Sequence, residues 1–183
     1  MRIISGHLRG RRLRAPEGLS TRPTSDRVRE ALFNILGADV QGARFLDVCA
    51  GSGAVGLEAL SRGAESVVFI EQSRRALEQL ESNIEHCGVG EAARIVAKDV
   101  LAALKALVGT ETTFDIVYVD PPYDAGLYRP ILKLLGVGGL VSPEGLVVVE
   151  RRSRDHLPAE AGELRHYRDV KYGDSTLTFF ARV

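Results

Sequence analysis

From residue 44 onward the chain alternates two hydrophobic rhythms. Residues 44–50 (RFLDVCA), 66–71 (SVVFIE), 93–99 (ARIVAKD), 114–120 (FDIVYVD) and 145–151 (GLVVVER) are short, mostly apolar runs of the kind that form buried strands. Between them apolar positions recur with helical spacing. The clearest case is 73–87, where Leu77, Leu80, Ile84 and Cys87 share a face and Gly88 supplies the stop. This alternation predicts an α/β fold, a mostly parallel twisted sheet with helices on both faces. The tail changes rhythm. After a polar stretch at 153–162, the runs 164–172 and 176–183 meet at Gly173-Asp174, which predicts a C-terminal hairpin and an antiparallel sheet edge.

Residues 1–43 follow neither rhythm and predict a small extension ahead of an α/β domain at 44–183. Gly6 and Gly10 interrupt a strand-like run over 2–14, which suggests a hairpin. Thr24 is placed to cap a helix ending near Leu36, with Val28, Ala31, Leu32, Ile35 and Leu36 facing the core and Arg27, Glu30 and Asn34 facing outward.

The 183 residues are 45% hydrophobic and 26% charged, which fits one ordinary globular domain and excludes bulk disorder. No apolar run reaches the ~18 residues of a membrane span, and the N-terminus lacks the apolar stretch of a signal peptide. Two Cys and four scattered His give no zinc-ligand spacing, so no metal is expected. Cys49 and Cys87 sit in packed-looking segments, which points to two free thiols and a cytoplasmic setting. The formal net charge of +0 hides an asymmetry. Residues 1–30 hold eight Arg against three acids, so a basic end is attached to an acidic body. Such an end suits an anion bound locally, and Arg without Lys suits the forked hydrogen bonds of phosphates and bases; a solvated charged arm is the plainer alternative.

The first strand runs into Asp47-Val-Cys-Ala50-Gly51-Ser-Gly53-Ala-Val-Gly56 and then a helix, with Glu71 ending the second strand twenty residues after Gly51. A ligand therefore approaches the backbone here, and Glu71 is placed to hold a diol. The helix N-terminus suits either a pyrophosphate or a carboxylate. Asp47 favours the second, because it would repel a pyrophosphate and attract an ammonium group. Asp99 can accept from an adenine amine, with the Val100 N–H as a donor to the ring, or it can simply cap the helix that follows. An amino acid, a ribose and an adenine together describe S-adenosylmethionine.

The fourth strand ends in Asp120-Pro121-Pro122-Tyr123. Two prolines stiffen the loop and present the Asp120 carboxylate with the Pro121 carbonyl, two acceptors suited to an aromatic amine. Holding its hydrogens would aim the nitrogen lone pair at a methyl donor. The Tyr123 ring can stack on an exposed base, which leaves its hydroxyl without a role. These residues point to amine methylation.

DVCAGSGAVGLEAL, Glu71 and DPPY resemble the Rossmann-like class I methyltransferases that modify exocyclic amines. The opening RIISGHLRGRRL and the stretch RPTSDRVREALFN at 22–34 resemble, more narrowly, the RsmD family of bacterial guanine-N2 methyltransferases of small-subunit ribosomal RNA. The resemblance covers about residues 2–183. It implies S-adenosylmethionine as donor, with Asp47, Gly51, Gly53 and Glu71 around it; Ala50 of the same loop and Asp99 with Val100 join them on the reading of the residues, since the position of Asp99 is not part of the family motif. It implies a guanine of 16S rRNA as target, in the small subunit or its assembly intermediate, with Asp120 to Tyr123 at the amine. The RNA would meet Arg9, Arg11, Arg12, Arg14, Arg22, Thr24 and Arg27. No obligate protein partner is evident. Three alternatives compete: a DNA adenine-N6 or cytosine-N4 methyltransferase, for which no target-recognition domain is evident; a NAD-dependent oxidoreductase, which leaves Asp47 and DPPY unexplained; and a non-catalytic RNA-binding assembly factor.

Overall fold

The computed structural model describes residues 1–14, 23–123 and 125–183 and, for residues 23–25, the backbone only. Its strands are β1 (Arg44–Val48), β2 (Ser66–Glu71), β3 (Ala93–Ala97), β4 (Phe114–Val119), β5 (Val141–Arg152), β6 (Glu160–Ala161), β7 (Leu164–Tyr172) and β8 (Ser175–Arg182). The helices are α1 (Pro23–Leu36), α2 (Ala54–Ser61), α3 (Arg74–Cys87), α4 (Val100–Leu107) and α5 (Tyr128–Val137). One sheet takes all eight strands in the order β3-β2-β1-β4-β5-β8-β7-β6. The first five in that order are parallel, and β8, β7 and β6 continue it antiparallel, as the C-terminal hairpin predicts. The order reverses between β1 and β4, so a crevice opens beyond their carboxyl ends, where both the glycine loop and the DPPY loop emerge.

Each face of the sheet buries its own core. On one side Leu32 of α1, Leu57 of α2 and Leu80 of α3 pack on Phe45, Phe69 and Phe179. On the other, Leu104 of α4 and Leu132 of α5 cover Val117, Val147 and Phe180. The N-terminal residues Ile3, Leu8 and Leu13 join the first core.

Several boundaries differ from the sequence reading. Helix α1 begins at Pro23, so Thr24 lies within the first turn and is not its cap; proline at the start suits a position whose N–H has no helical partner. On that helix Phe33 is buried, stacked on Phe45, and Ile35 is only half-buried. Strand β3 stops at Ala97, because Lys98 turns back to Val96 and Asp99 caps α4. Strand β5 starts early, at Val141, across an irregularity in its pairing with β4 that the Ser-Pro-Glu-Gly stretch conceals. The 153–162 stretch contains the short β6. The expected hairpin over 2–14 reduces to a single antiparallel bridge, Arg2 to Arg12, around the turns at 5–10.

That small block is fixed by polar contacts to α2. Glu58 is 0% exposed and accepts from the Ile4 and Ser5 N–H groups at 2.8 and 2.9 Å. Its charge is offset by Arg62 at 2.8 Å and by Arg29 at 3.7 Å. Ser61 adds a bond from the Leu8 N–H to its hydroxyl and one from the His7 N–H to its carbonyl. Gly6 passes so close to Ser61 that a Cβ there would collide with the Ser61 carbonyl. Arg29 is therefore a structural cation, 4% exposed, which removes it from the charges offered to an outside partner.

Candidate active site

The glycine loop is bent by three left-handed residues, Cys49 (φ 64), Gly51 (φ 57) and Gly53 (φ 81). Cys49 is the one non-glycine residue with positive φ among the described residues, a strained backbone of the kind that collects at functional sites. A Cβ at Gly53 would strike Leu80 of α3, so this glycine allows the loop to lie on the helix. Gly51 has open space where a Cβ would stand, which leaves its backbone accessible to a ligand.

Glu71 is held ready beside that loop. One carboxylate oxygen accepts from the Gly51 N–H at 2.8 Å, and the other accepts from Gln72 and Ser73 at 2.8 Å each. Three backbone donors fix the carboxylate, and its oxygens retain lone pairs for further donors such as a diol.

A cavity of about 540 Å³ joins this side to the DPPY loop. Gly51, Glu71 and Val100 line one end, and Asp120, Pro121, Pro122 and Tyr123 line the other. The structure thus brings three of the seven expected donor-side residues and all four amine-side residues into one space. It adds residues that sequence reasoning passed over: Cys49, Ile70, Gln72, Lys98, Ala125 and Leu127. Adjacency to Glu71 and Asp99 was the available signal for Gln72 and Lys98.

Other expected residues lie outside the cavity wall. Asp47 sits behind the glycine loop, 2% exposed, and accepts from the Gly56 N–H at 2.9 Å. Ala50 and Gly53 shape the loop, with the Gly53 N–H bonded to the Ala50 carbonyl at 2.8 Å. Asp99 accepts from Leu101 and Ala102 at 3.0 and 3.1 Å, so its carboxylate serves as the α4 cap. Arg9, Arg11, Arg12, Arg14 and Arg27 are exposed on the N-terminal block, with Arg11 donating to the His86 carbonyl at 2.6 Å. Arg22 lies outside the described residues, as does the side chain of Thr24.

The field in the cavity is acidic. Burial, then the charges of Glu150 and Asp47, raise Asp120 well above the ordinary carboxylate range. Burial also pushes Asp47 up to about 7; the Gly56 bond opposes this and the Glu71 charge adds to it. Cys49 is pushed up to about 12, first by burial and then by Glu71 and Asp120, so it is a thiol and not a thiolate nucleophile at neutral pH. In their ionised forms these carboxylates, with Glu71, attract cations, while Lys98 stands in the same wall as a counter-charge. Among the described residues no His, Cys, Asp and Glu side chains cluster as a metal site.

Tyr123 is more constrained than a stacking ring alone. The Arg152 guanidinium lies 4.5 Å from its ring centre, and its hydroxyl is in hydrogen-bonding reach of Ser175. The hydroxyl thus has a partner within the fold, on a strand some fifty residues away in sequence.

The chain is similar to known proteins along its length. The family model described as Conserved hypothetical protein 95 matches residues 1–181. Ribosomal RNA small subunit methyltransferase D of Escherichia coli K12 is 38% identical over 182 residues, covering 100% of this chain and 90% of that protein. The Haemophilus influenzae protein of the same name is 38% identical over 152 residues, 82% of this chain and 78% of its own. The solved structure of yhhF from Escherichia coli superposes with a TM-score of 0.88 at 40% identity, over 100% of this chain and 97% of that one.

Proposed function

The chain belongs to the RsmD family and is a Rossmann-like rRNA methyltransferase, and from this we propose that it moves a methyl group from S-adenosylmethionine to the exocyclic N2 amine of a guanine in 16S rRNA. The proposed substrate is the small ribosomal subunit or its assembly intermediate, in the cytoplasm. The observation that carries this reading is the single cavity with the Gly51–Glu71 clamp at one end and Asp120 at the other.

The residues fit such a donor. A fixed carboxylate with spare lone pairs suits the ribose diol, the open Gly51 backbone suits close approach, and the acidic field suits a cationic sulfonium and ammonium. Asp47, Ala50, Gly51 and Gly53 would hold the amino acid end, Glu71 the ribose, and Asp99 with Val100 the adenine side. When bound, the donor supplies an electrophilic methyl group.

Asp120 then accepts hydrogen bonds from the guanine amine and aims its lone pair at the methyl carbon. Pro121 and Pro122 keep that acceptor from moving, and Tyr123 covers the base. The exposed Arg9, Arg11, Arg12, Arg14 and Arg27, with Arg22 and Thr24, would bring RNA to the mouth of the cavity, so residues 1–43 serve as the RNA-contacting extension of a catalytic domain at 44–183.

Transfer of labelled methyl to small-subunit particles lacking this modification, followed by nucleoside analysis, tests the reading. N2-methylguanosine is expected. Label in N6-methyladenosine or N4-methylcytidine, or no label, would contradict it.

A further inference from the structure

Strands β4 and β5 run side by side with Val119 opposite Val149, so the next residues, Asp120 and Glu150, come together at the cavity end of the sheet. Both continue the face on which Tyr118 and Val148 enter the core, since side chains two apart share a face. Neighbouring strands are about 4.8 Å apart, which leaves these two carboxylates as near neighbours.

Glu150 is partly buried and held from several elements. The Tyr118 hydroxyl donates to its carboxylate at 2.5 Å. The Ser175 hydroxyl on β8 reaches the same carboxylate and also the Tyr123 hydroxyl. On α5 the Tyr128 hydroxyl donates to the Glu150 carbonyl at 3.3 Å. The charged and titratable groups around the pair include Asp47 on β1, Cys49 of the glycine loop, Tyr118 on β4, Tyr123 and its stacked Arg152, and Tyr128. The methylation reading gives Glu150 no task, yet two hydroxyls from different strands fix its carboxylate beside the cavity.

We propose that Glu150 is a positioning residue: fixed by Tyr118 and Ser175 beside Asp120, its negative charge makes Asp120 the group that takes the proton shed by the methylated amine. This rests on the reading that places Asp120 at the target amine. The amine lone pair forms the N–C bond as the C–S bond breaks with its electrons going to sulfur. The nitrogen, now cationic, gives one proton to Asp120, and Asp120 passes it to water as the product leaves. An ordinary carboxylate is a weak base for such a step, and a second charge beside it strengthens it. Burial followed by the Glu150 charge raises Asp120 well above the ordinary carboxylate range, while Glu150 is itself raised by burial, an effect the Tyr118 and Ser175 hydroxyls oppose, so of the two carboxyls Asp120 is the stronger proton acceptor.

The test is carboxyl-carbon NMR titration of the cofactor-free protein, paired with the pH profile of methyl transfer to small-subunit particles. In Glu150→Gln, Asp120 should titrate at least about one pH unit lower, a tenfold loss of proton affinity. The acidic limb of kcat should move the same way, and its plateau should fall about 10–100-fold with KM for the particle unchanged. Tyr118→Phe, which loosens the hold on the Glu150 charge, should shift both in the same direction by less, and it serves if Glu150→Gln does not fold. A lower kcat with an unmoved limb and an unmoved Asp120 titration would make Glu150 merely structural and overturn the proposal. If wild-type protein transfers no methyl to guanine although the titration shifts as expected, the functional reading fails, and the proton-acceptor role falls with it.

Discussion

Asn83 of α3 holds the backbone of Arg14: its carboxamide oxygen accepts the Arg14 N–H at 2.8 Å, and its amide nitrogen donates to the Arg14 carbonyl at 3.0 Å. The same nitrogen donates to the Ser52 carbonyl in the glycine loop at 2.9 Å. A side chain that is 1% exposed thus ties the arginine-rich block to the donor-binding loop. Asn83→Ala should leave the buried Ser52 carbonyl without this partner, a loss of about 1–3 kcal/mol, and free the partly buried backbone groups of Arg14 at a smaller cost. Denaturant titration should show lower stability, and calorimetry should show weaker S-adenosylmethionine binding in the folded variant. Unchanged stability and affinity would mean the link carries no strain between the two segments.

Asp47 sets a pH dependence whose sign is fixed. Its carboxyl is raised from 3.8 to about 7 in the fold, so the folded state holds a proton that the unfolded chain has released. Its contribution to stability is present in full at low pH, is lost as pH rises from about 4 to about 7, and changes no further above that. Asp120 and Glu150 are raised too and add in the same direction. In Asp47→Asn the gap between denaturation midpoints at pH 5 and pH 7.5 should narrow, because one of the groups that produce it is gone. An equal gap in variant and wild type would contradict this account.

The exposed arginines make a salt-dependence prediction. Replacing Arg11 and Arg12 by Ala should weaken binding to small-subunit particles and flatten the slope of log affinity against log salt by roughly 0.7–0.9 for each phosphate no longer neutralised. Affinity for S-adenosylmethionine should not change, because the link from this block to the glycine loop runs through the Arg14 backbone and not through these side chains. An unaltered slope would leave the two arginines as a solvated surface.

Tyr123 separates stacking from hydrogen bonding. Tyr123→Ala removes the ring under Arg152 and should reduce kcat severely. Tyr123→Phe keeps the ring and frees Ser175 from one partner, so it should cost about tenfold at most, in the range of about 0.5–1.5 kcal/mol for one hydrogen bond. Steady-state rates of the two variants decide between them. If Phe is as damaging as Ala, the hydroxyl and not the ring is the functional part.

The parts of the fold that could be read in advance are those whose pattern is local. The glycine loop, the β2 terminus at Glu71 and the C-terminal hairpin each announce themselves within a dozen residues, through a glycine spacing, a strand end or a turn pair. What escaped depends on partners far along the chain. Arg29 looks like its seven neighbours until Glu58 of α2 comes against it. Asn83 reads as one more polar residue of α3, although it stands on the same face as Leu80 and Ile84. Glu58 left the clearest trace, a single acid in the otherwise apolar and small helix AVGLEALS. In the candidate site, Glu150 escaped because the end of a strand exposes charges routinely, and only the β4–β5 register brings it to Asp120.

Asp120 gives the most direct test of the central claim, that one cavity holds the methyl donor at the Glu71 end and the target amine at the Asp120 end. Methyl transfer to small-subunit particles and calorimetric binding of S-adenosylmethionine should be measured together for wild type and Asp120→Ala. Turnover should fall by about 10²–10³ or more, the scale for removing a group that stabilises the transition state, with donor affinity nearly intact. Donor binding that collapses along with turnover would place Asp120 at the cofactor and contradict the account.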